Sequence, residues 1–358
     1  MKEIGSSFYL DNSPGIDCSK AFIPLQLYGN NTEYFSSCRD ALRVVLNIEK
    51  IESGCVVVPP FTCHAVIQPF LEHGLIIRPY SIRYDLTVDV EKTINIINTN
   101  NPVVFIYHPY FGFFDKGIEQ LYDVLKGHNT VIIEDRTQNM FSMSGKTQAD
   151  YVVGSIRKWL EIPDGGFLNS NKLITAHTCE RFEELISISI KAMKTKYRYL
   201  VFNEGTDKVY REMFAKYEEI LDDNHNIYTI SNETQSICMG YDWDRLRTSR
   251  KENYEVLSNG LTGIEQICKV DQKNESSVVP FMLPVYVKRN RRELQAYLAS
   301  KKIFATAIWG CPEQLISQIS DLERKVYAEI LCFPIDQRYE KNDMERIVSC
   351  VKDYYEEK

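Results

Sequence analysis

No two of the ten cysteines stand in a CxxC pair. They are scattered at positions 18, 38, 55, 63, 179, 238, 268, 311, 332 and 350. Without metal-ligand spacing, that scatter excludes a disulfide framework and a zinc ligand set, and predicts buried small hydrophobes in a reducing compartment. The six histidines form no HExxH, no serine lies in GxSxG, and neither a Walker A loop nor a GxGxxG turn occurs. Zinc-protease, esterase-elbow and P-loop chemistry therefore lose their usual carriers, and no metal is expected. A basic excess is missing too: the formal charge is -7 and the pI about 5.6, which argues against nucleic acid as a partner. No apolar run reaches bilayer-spanning length, and MKEIGSSFYLDNSPG has no apolar signal core, so the expectation is a cytoplasmic protein with no membrane partner.

What is present is ordinary for a globular chain: 358 residues, 44% hydrophobic and 25% charged. That length predicts roughly two domains. From residue 36 to about 170, β-rich apolar runs alternate with helical spacing, the rhythm of a mainly parallel sheet flanked by helices. Strands are predicted at Cys55 to Val58, Leu75 to Tyr80, Val103 to Tyr107, Val131 to Glu134 and Tyr151 to Gly154, with a shorter one at Gly166 to Leu168. Helices are predicted at Arg39 to Glu49, Ala65 to Glu72, Val90 to Ile97 and Lys116 to Leu125. Beyond residue 175 come long charged amphipathic helices, followed by a βαβ-like C-terminal third. The expected architecture is α/β. It comprises an N-terminal arm over 1–20, a large domain over 21–205, and interdomain helices with a smaller C-terminal α/β domain over 206–358.

In such sheets ligands collect at the carboxyl ends of the strands, so the residues just after each strand are the informative ones. VVGSIRKWLEIPDGGF runs from a strand into Ser155 and Lys158, then closes on Gly165 and Gly166. A lysine beside Trp159 that loses hydration becomes a better nucleophile and a Schiff-base candidate; the alternative is a solvated loop cation. EDRTQNMF places Asp135 and Gln138 after another strand. An N-cap accounts for them, and so does the carboxylate that keeps a pyridinium nitrogen protonated. Lysine and aspartate on strand ends match pyridoxal-phosphate chemistry. FSSCRDALRVVL offers a helix start whose amides near Cys38 and Arg39 suit a phosphate or serve as a plain serine cap. PPFTCHAVIQPF puts Cys63 and His64 at another helix start, and YHPYFG puts His108 and Tyr110 at a strand end.

Taken in order, SSCRDAL, VVPPFTCHAVIQPFLEHG, YHPYFG, IIEDRTQ, GSIRKW…IPDGG, SRKENYEVL, LPVYVKRNRRELQAYL, IWGCP and LCFPIDQRYEKNDM resemble the DegT/StrS family of pyridoxal-phosphate-dependent sugar aminotransferases, over most of the chain. The resemblance implies the fold-type I architecture, pyridoxal 5'-phosphate as cofactor and a homodimer. It implies an amino-acid donor, glutamate, and a nucleotide-linked keto-sugar as acceptor, with products feeding surface polysaccharides. It also implies that Lys158 forms the internal Schiff base and moves the proton, and that Asp135 pairs with the ring nitrogen. Gln138 would lie near the ring hydroxyl, Thr137 against one ring face, and Cys63 or His64 on the other. The amides of Cys38 and Arg39, with Ser155, would hold the phosphate.

Three departures stand out. Cys38-Arg39 replaces the family's small Gly-Thr pair, Pro-Asp-Gly-Gly replaces Gly-Glu-Gly-Gly, and KTKYRYL with Tyr197 and Arg198 is a faint counterpart of the segment that reaches a neighbouring subunit. Competing expectations on the same scaffold are a pyridoxal-phosphate sugar dehydratase or lyase, in which the lysine is typically replaced, and a non-catalytic ligand-binding regulator.

Overall fold

The computed structural model describes residues 2–10, 30–142, 147–175, 180–204, 208–270 and 277–356. Half of the expected N-terminal arm, residues 11–20, lies outside the described residues. The chain forms two compact units. One comprises Met1–Gly5, Glu52–Ala149 and Asp244–Lys358; the other comprises Ser6–Ile51 and Asp150–Trp243.

The first unit is built on four parallel strands in the order Ile76–Pro79, Cys55–Val58, Val104–Tyr107 and Val131–Asp135. Their sequences IIRP, CVVV, VFIY and VIIED are almost continuously apolar, and Val56 to Val58 and Val104 to Ile106 are fully buried. Continuous rather than alternating hydrophobicity is what a parallel sheet covered on both faces requires. Each parallel pair needs a crossover, and the helices His64–Glu72 and Val90–Asn100 supply two of them. The predicted helix at Lys116 to Leu125 is instead a 3₁₀ turn over Lys116–Gln120 leading into a short α-helix, Tyr122–Gly127. The Asp115 carboxylate caps the 3₁₀ turn by accepting from the Gly117 N–H.

The C-terminal third of this unit carries a three-stranded antiparallel sheet, Ile330–Phe333, Leu283–Val287 and Ile267–Lys269. It is covered by the helices Arg291–Ser300 and Lys341–Glu356, whose Leu294, Leu298, Met344, Ile347 and Val351 are buried. The apolar run from Ser277 contracts to Leu283–Val287 as a strand. Two sequence strings that looked unrelated meet here. Asn253 of SRKENY donates to the carbonyls of Ile335, Asp336 and Tyr339, and Arg250 donates to Gln337 Oε1 and the Phe281 carbonyl. These bonds satisfy a buried turn that no strand ladder reaches.

The second unit holds three antiparallel strands, Asn31–Phe35, Gly166–Ser170 and Tyr151–Ser155. Here the mainly parallel architecture includes antiparallel pairs. Ten residues separate Ser155 from Gly166, and the Ile156 N–H donates to the Gly165 carbonyl at 3.0 Å, closing a hairpin-like loop in place of a crossover. Asn31–Phe35 was missed because NTEYF is polar and short. The helix Cys38–Ile48 is buried on its polar side as well as its apolar one. Arg43 pairs with Asp40 at 3.1 Å and donates to the Asn224 carbonyl, while Arg39 pairs with Asp222. The long helices Glu183–Phe202 and Tyr210–Asp222 pack through Leu185, Tyr217 and Leu221. Among the described residues no helix is long and apolar enough to cross a membrane.

Candidate functional site

In the first unit the candidate residues gather where the parallel strands end. Asp135 is the last residue of Val131–Asp135 and is 1% exposed. Its Oδ1 accepts from the Thr137 N–H at 2.9 Å, and its Oδ2 lies 3.4 Å from His108 Nδ1. The second approach is a close polar contact, since neither His108 nitrogen makes a hydrogen bond of good geometry among the described residues. Burial by itself pushes the Asp135 carboxyl up. The His108 ring and the Thr137 hydroxyl and N–H outweigh it and hold the group below the usual carboxylate range. By linkage, the stability Asp135 contributes is present above its unfolded pKa and lost only as pH falls through the lowered folded one. The carboxylate is thus kept ionised in a place with almost no water.

Gln138 is 1% exposed and accepts from the Phe111 N–H at 2.9 Å through Oε1. Its Nε2 is buried with no partner among the described residues. Phe111 has a left-handed backbone (φ 56°), followed by Gly112 at φ 96°, where a Cβ would stand 2.4 Å from the Val279 carbonyl oxygen. This turn aims the Phe111 amide at Gln138. A buried amide donor and a buried ionised acceptor on adjacent turns fit a polar aromatic ring, the donor for a ring hydroxyl and the acceptor for a ring N–H. Cys63 is the N-cap of the helix His64–Glu72, with no capping bond from its side chain, and is half-buried, whereas His64 is exposed. Phe61, two residues earlier, is fully buried in the core.

One participant escaped the sequence reading. Trp309 packs against the edge of His108 at 5.6 Å between centroids and against Phe61 at 5.0 Å, with Tyr110 on the other flank of His108 at 5.0 Å. Ile308, just before it, has φ +63°, a strained backbone for a β-branched residue, held by the Thr306 hydroxyl accepting its N–H. Aromatic edges therefore fix the His108 ring. Trp309→Ala is expected to cost about 1–3 kcal/mol from two lost ring pairs, while Trp309→Phe keeps most of it; urea unfolding of the two variants checks this.

The second unit carries the lysine loop and the phosphate turn. Ser155 ends its strand and is buried; Lys158 lies in the 3₁₀ turn Ile156–Lys158. The expected desolvation of Lys158 by Trp159 is not what the structure shows. Trp159 is fully buried and Lys158 exposed, because the 3₁₀ turn sends the two side chains in different directions. Arg157 bonds to Glu218 and lies over the Tyr217 ring, and the Glu218 carboxyl is lowered to about 2 by Arg157 first, against burial, with Lys158 and Arg39 adding to the effect.

At the helix start, Ser37 and Asp40 form a reciprocal capping box. Burial drives the Asp40 carboxyl up to about 7 despite Arg43 and Ser37. Ser36 Oγ is buried without a partner among the described residues. Gly165 N–H donates to the Ser36 carbonyl at 2.7 Å, and Gly166 runs so close that a Cβ would lie 2.3 Å from Ser37 C and 2.5 Å from Cys38 N. The structure thus brings the Ser36–Cys38 turn and the end of the lysine loop together. It ties the terminal nitrogens of Arg39 to Asp222 and the Leu221 carbonyl, while its Nε is buried without a partner among the described residues.

Residues 238–352 match the model of the DegT/DnrJ/EryC1/StrS aminotransferase family. No curated protein matches the sequence. Among solved structures, Helicobacter pylori PseC, an aminotransferase involved in the biosynthesis of pseudoaminic acid, is 14% identical, with a TM-score of 0.70 and 100% of each chain covered. The sugar aminotransferase CalS13 from Micromonospora echinospora is 17% identical, with a TM-score of 0.64, over 90% of this chain and 87% of that one. S. venezuelae DesV, solved with a ketimine intermediate, is 16% identical, with a TM-score of 0.66, over 92% and 85%. The resemblance read from the sequence and the expected α/β fold are borne out.

Proposed function

We propose, for a chain with the fold of the sugar aminotransferases and a C-terminal segment of the DegT/DnrJ/EryC1/StrS family, a pyridoxal-phosphate-dependent transfer of an amino group from an amino acid to a nucleotide-linked keto-sugar. The observation that carries it is Asp135: a fully buried carboxylate at a parallel-strand end, held ionised by His108 and Thr137. Such a group serves no solvent-facing purpose, and it matches the need of a pyridinium nitrogen. The residues fit the cofactor also through the buried Gln138 Nε2 and the buried Ser36 Oγ, both without protein partners among the described residues.

Pyridoxal phosphate, when bound, supplies an electron sink for the bond-breaking at the amino-bearing carbon. Asp135 would hold the proton on the ring nitrogen. Gln138 would donate to the ring oxygen through Nε2, and Thr137 would meet the ring. The Cys38 and Arg39 amides, with Ser155, would bind the phosphate at the start of an eleven-residue helix. Lys158 Nζ would take and return the proton on the substrate carbon. Cys63, half-buried, is the better placed of the two stacking candidates to meet a ring, since His64 is exposed. We further read glutamate as the donor, a surface-polysaccharide precursor as the product, a cytoplasmic location and a homodimer, all by resemblance to the family.

The test is the visible absorption of the purified chain with added pyridoxal phosphate, followed by glutamate. A bound-cofactor band that glutamate converts supports the reading; no band with the wild-type chain overturns it. Asp135→Asn is expected to bind the cofactor yet lose about 10²-fold or more in kcat, the range for losing a properly placed proton partner. Single-turnover absorbance traces check it.

A further inference from the structure

The loop after Lys158 ends on an aspartate that is 0% exposed, and nothing in the reaction above uses it. Asp164 Oδ2 accepts from the Ser231 N–H at 2.9 Å, and its Oδ1 accepts from the Ser231 and Thr234 hydroxyls at 2.6 and 2.5 Å. All three donors belong to the N-terminal turn of the helix Asn232–Met239, whose own cap is Ser231 accepting from the Thr234 N–H. The next residue, Gly165, donates to the Ser36 carbonyl and accepts from the Ile156 N–H, so the loop is closed at its base and pinned beyond it. Three bonds to one carboxylate between two segments far apart in sequence constitute a latch.

We propose that Asp164 is a positioning residue for Lys158: by accepting the three Ser231 and Thr234 donors it anchors the lysine loop to the Asn232–Met239 helix and fixes the backbone from which the lysine works. The inference rests on the proposed role of Lys158.

Both protonation states of the latch are satisfied. The Ser231 hydroxyl has Thr234 Oγ1 as an alternative acceptor at 3.1 Å, and the Thr234 hydroxyl has the Asp164 carbonyl at 3.1 Å. Burial pushes the Asp164 carboxyl up to about 6, against the Ser231 and Thr234 bonds, and Glu233 adds to the rise. The other groups facing it are the buried Cys238 on the Asn232–Met239 helix and Tyr217 on the Tyr210–Asp222 helix. For an acid whose closed-state pKa lies above its value in water, closure is favoured fully below the latter and weakened as pH rises through the former. The latch is therefore tighter at pH 5 than at pH 8.

Hydrogen exchange of the cofactor-free full chain, read by mass spectrometry over residues 156–166 and corrected for intrinsic rates, tests this directly. The wild type is expected to lose about 10-fold in loop protection from pH 5 to pH 8, given the gap between 3.8 and about 6. Asp164→Ala, which removes every side-chain acceptor, is expected to be unprotected and flat with pH, and Thr234→Val, which leaves the loop sequence intact, to lose protection while keeping the slope. Protection of the Cys38–Ile48 helix shows that each variant is folded. In turnover, Asp164→Ala is expected to lower kcat about 10-fold with donor KM little changed and to shift the pH profile.

Loop protection in Asp164→Ala equal to wild type, with the same slope, overturns the latch. A loosened loop with unaltered kcat and pH profile overturns the positioning role. Failure of the underlying reading shows separately, as full activity in Lys158→Ala with the loop exchange unaffected.

Discussion

Lys158→Ala is expected to abolish amino transfer, with kcat at least about 10³-fold down, the scale on which a positioned proton-transfer group acts. The loss should fall on kcat and kcat/KM together, because the proposed role of Lys158 is proton transfer at the reacting carbon rather than substrate binding. Stability should hardly move. Lys158 is exposed, and neighbouring Arg157 remains to neutralise Glu218, so urea unfolding is expected within about 0.5 kcal/mol of wild type. This separates a chemical role from a structural one. If the variant keeps wild-type turnover, Lys158 is an ordinary loop cation and the proposed reaction is wrong.

Gly166→Ala is expected to be strongly destabilising for a single added methyl group. The added Cβ would lie 2.3 Å from Ser37 C, 2.4 Å from Ser37 O and 2.5 Å from Cys38 N, all main-chain atoms. A flexible side chain yields cheaply, whereas these atoms cannot. Moving them breaks the Gly165 to Ser36 bond and the capping box on Ser37 and Asp40. Overpacking usually costs about 1–3 kcal/mol, and a clash with fixed backbone belongs at or above the top of that range. Gly310, with nothing within 4 Å of an added Cβ, is the control, and Gly310→Ala is expected to stay within about 0.5 kcal/mol of wild type. Equilibrium urea unfolding of the pair checks both. Equal stability of the two variants would mean that the Ser36–Cys38 turn and the lysine loop are not in contact as described.

The two substitutions probe opposite ends of one segment, Lys158 to Gly166. Between them stand the fully buried Trp159, which fills the core, and Asp164, which carries the latch. A stretch of nine residues thus divides into a chemical position, a packing position, a hydrogen-bonding position and a close-approach position.

Much of this was legible in the sequence because its cause is local. CVVV, VFIY and VIIED read as buried parallel strands since continuous apolar runs suit only a sheet covered on both faces, and the strand ends then pointed to Asp135, Gln138 and Lys158. Ser37 before an amphipathic run marked a helix start correctly, although Asp40 as its capping partner went unremarked.

What the sequence left undetermined depends on partners distant along the chain. That Gly166–Ser170 runs antiparallel, that Trp309 braces His108, that Asn253 stitches the 335–339 turn and that Asp164 is tied to Ser231 and Thr234 involve separations of tens to hundreds of residues. No periodicity encodes such pairs. The exposure of Lys158 beside a buried Trp159 is of the same kind, decided by the direction of one 3₁₀ turn. Local sequence therefore determined which elements form and which residues end them, because propensity and burial pattern are properties of short segments. Only tertiary structure decided which strand ends and loops meet, because long-range hydrogen bonds and ring contacts exist only after the chain has closed on itself.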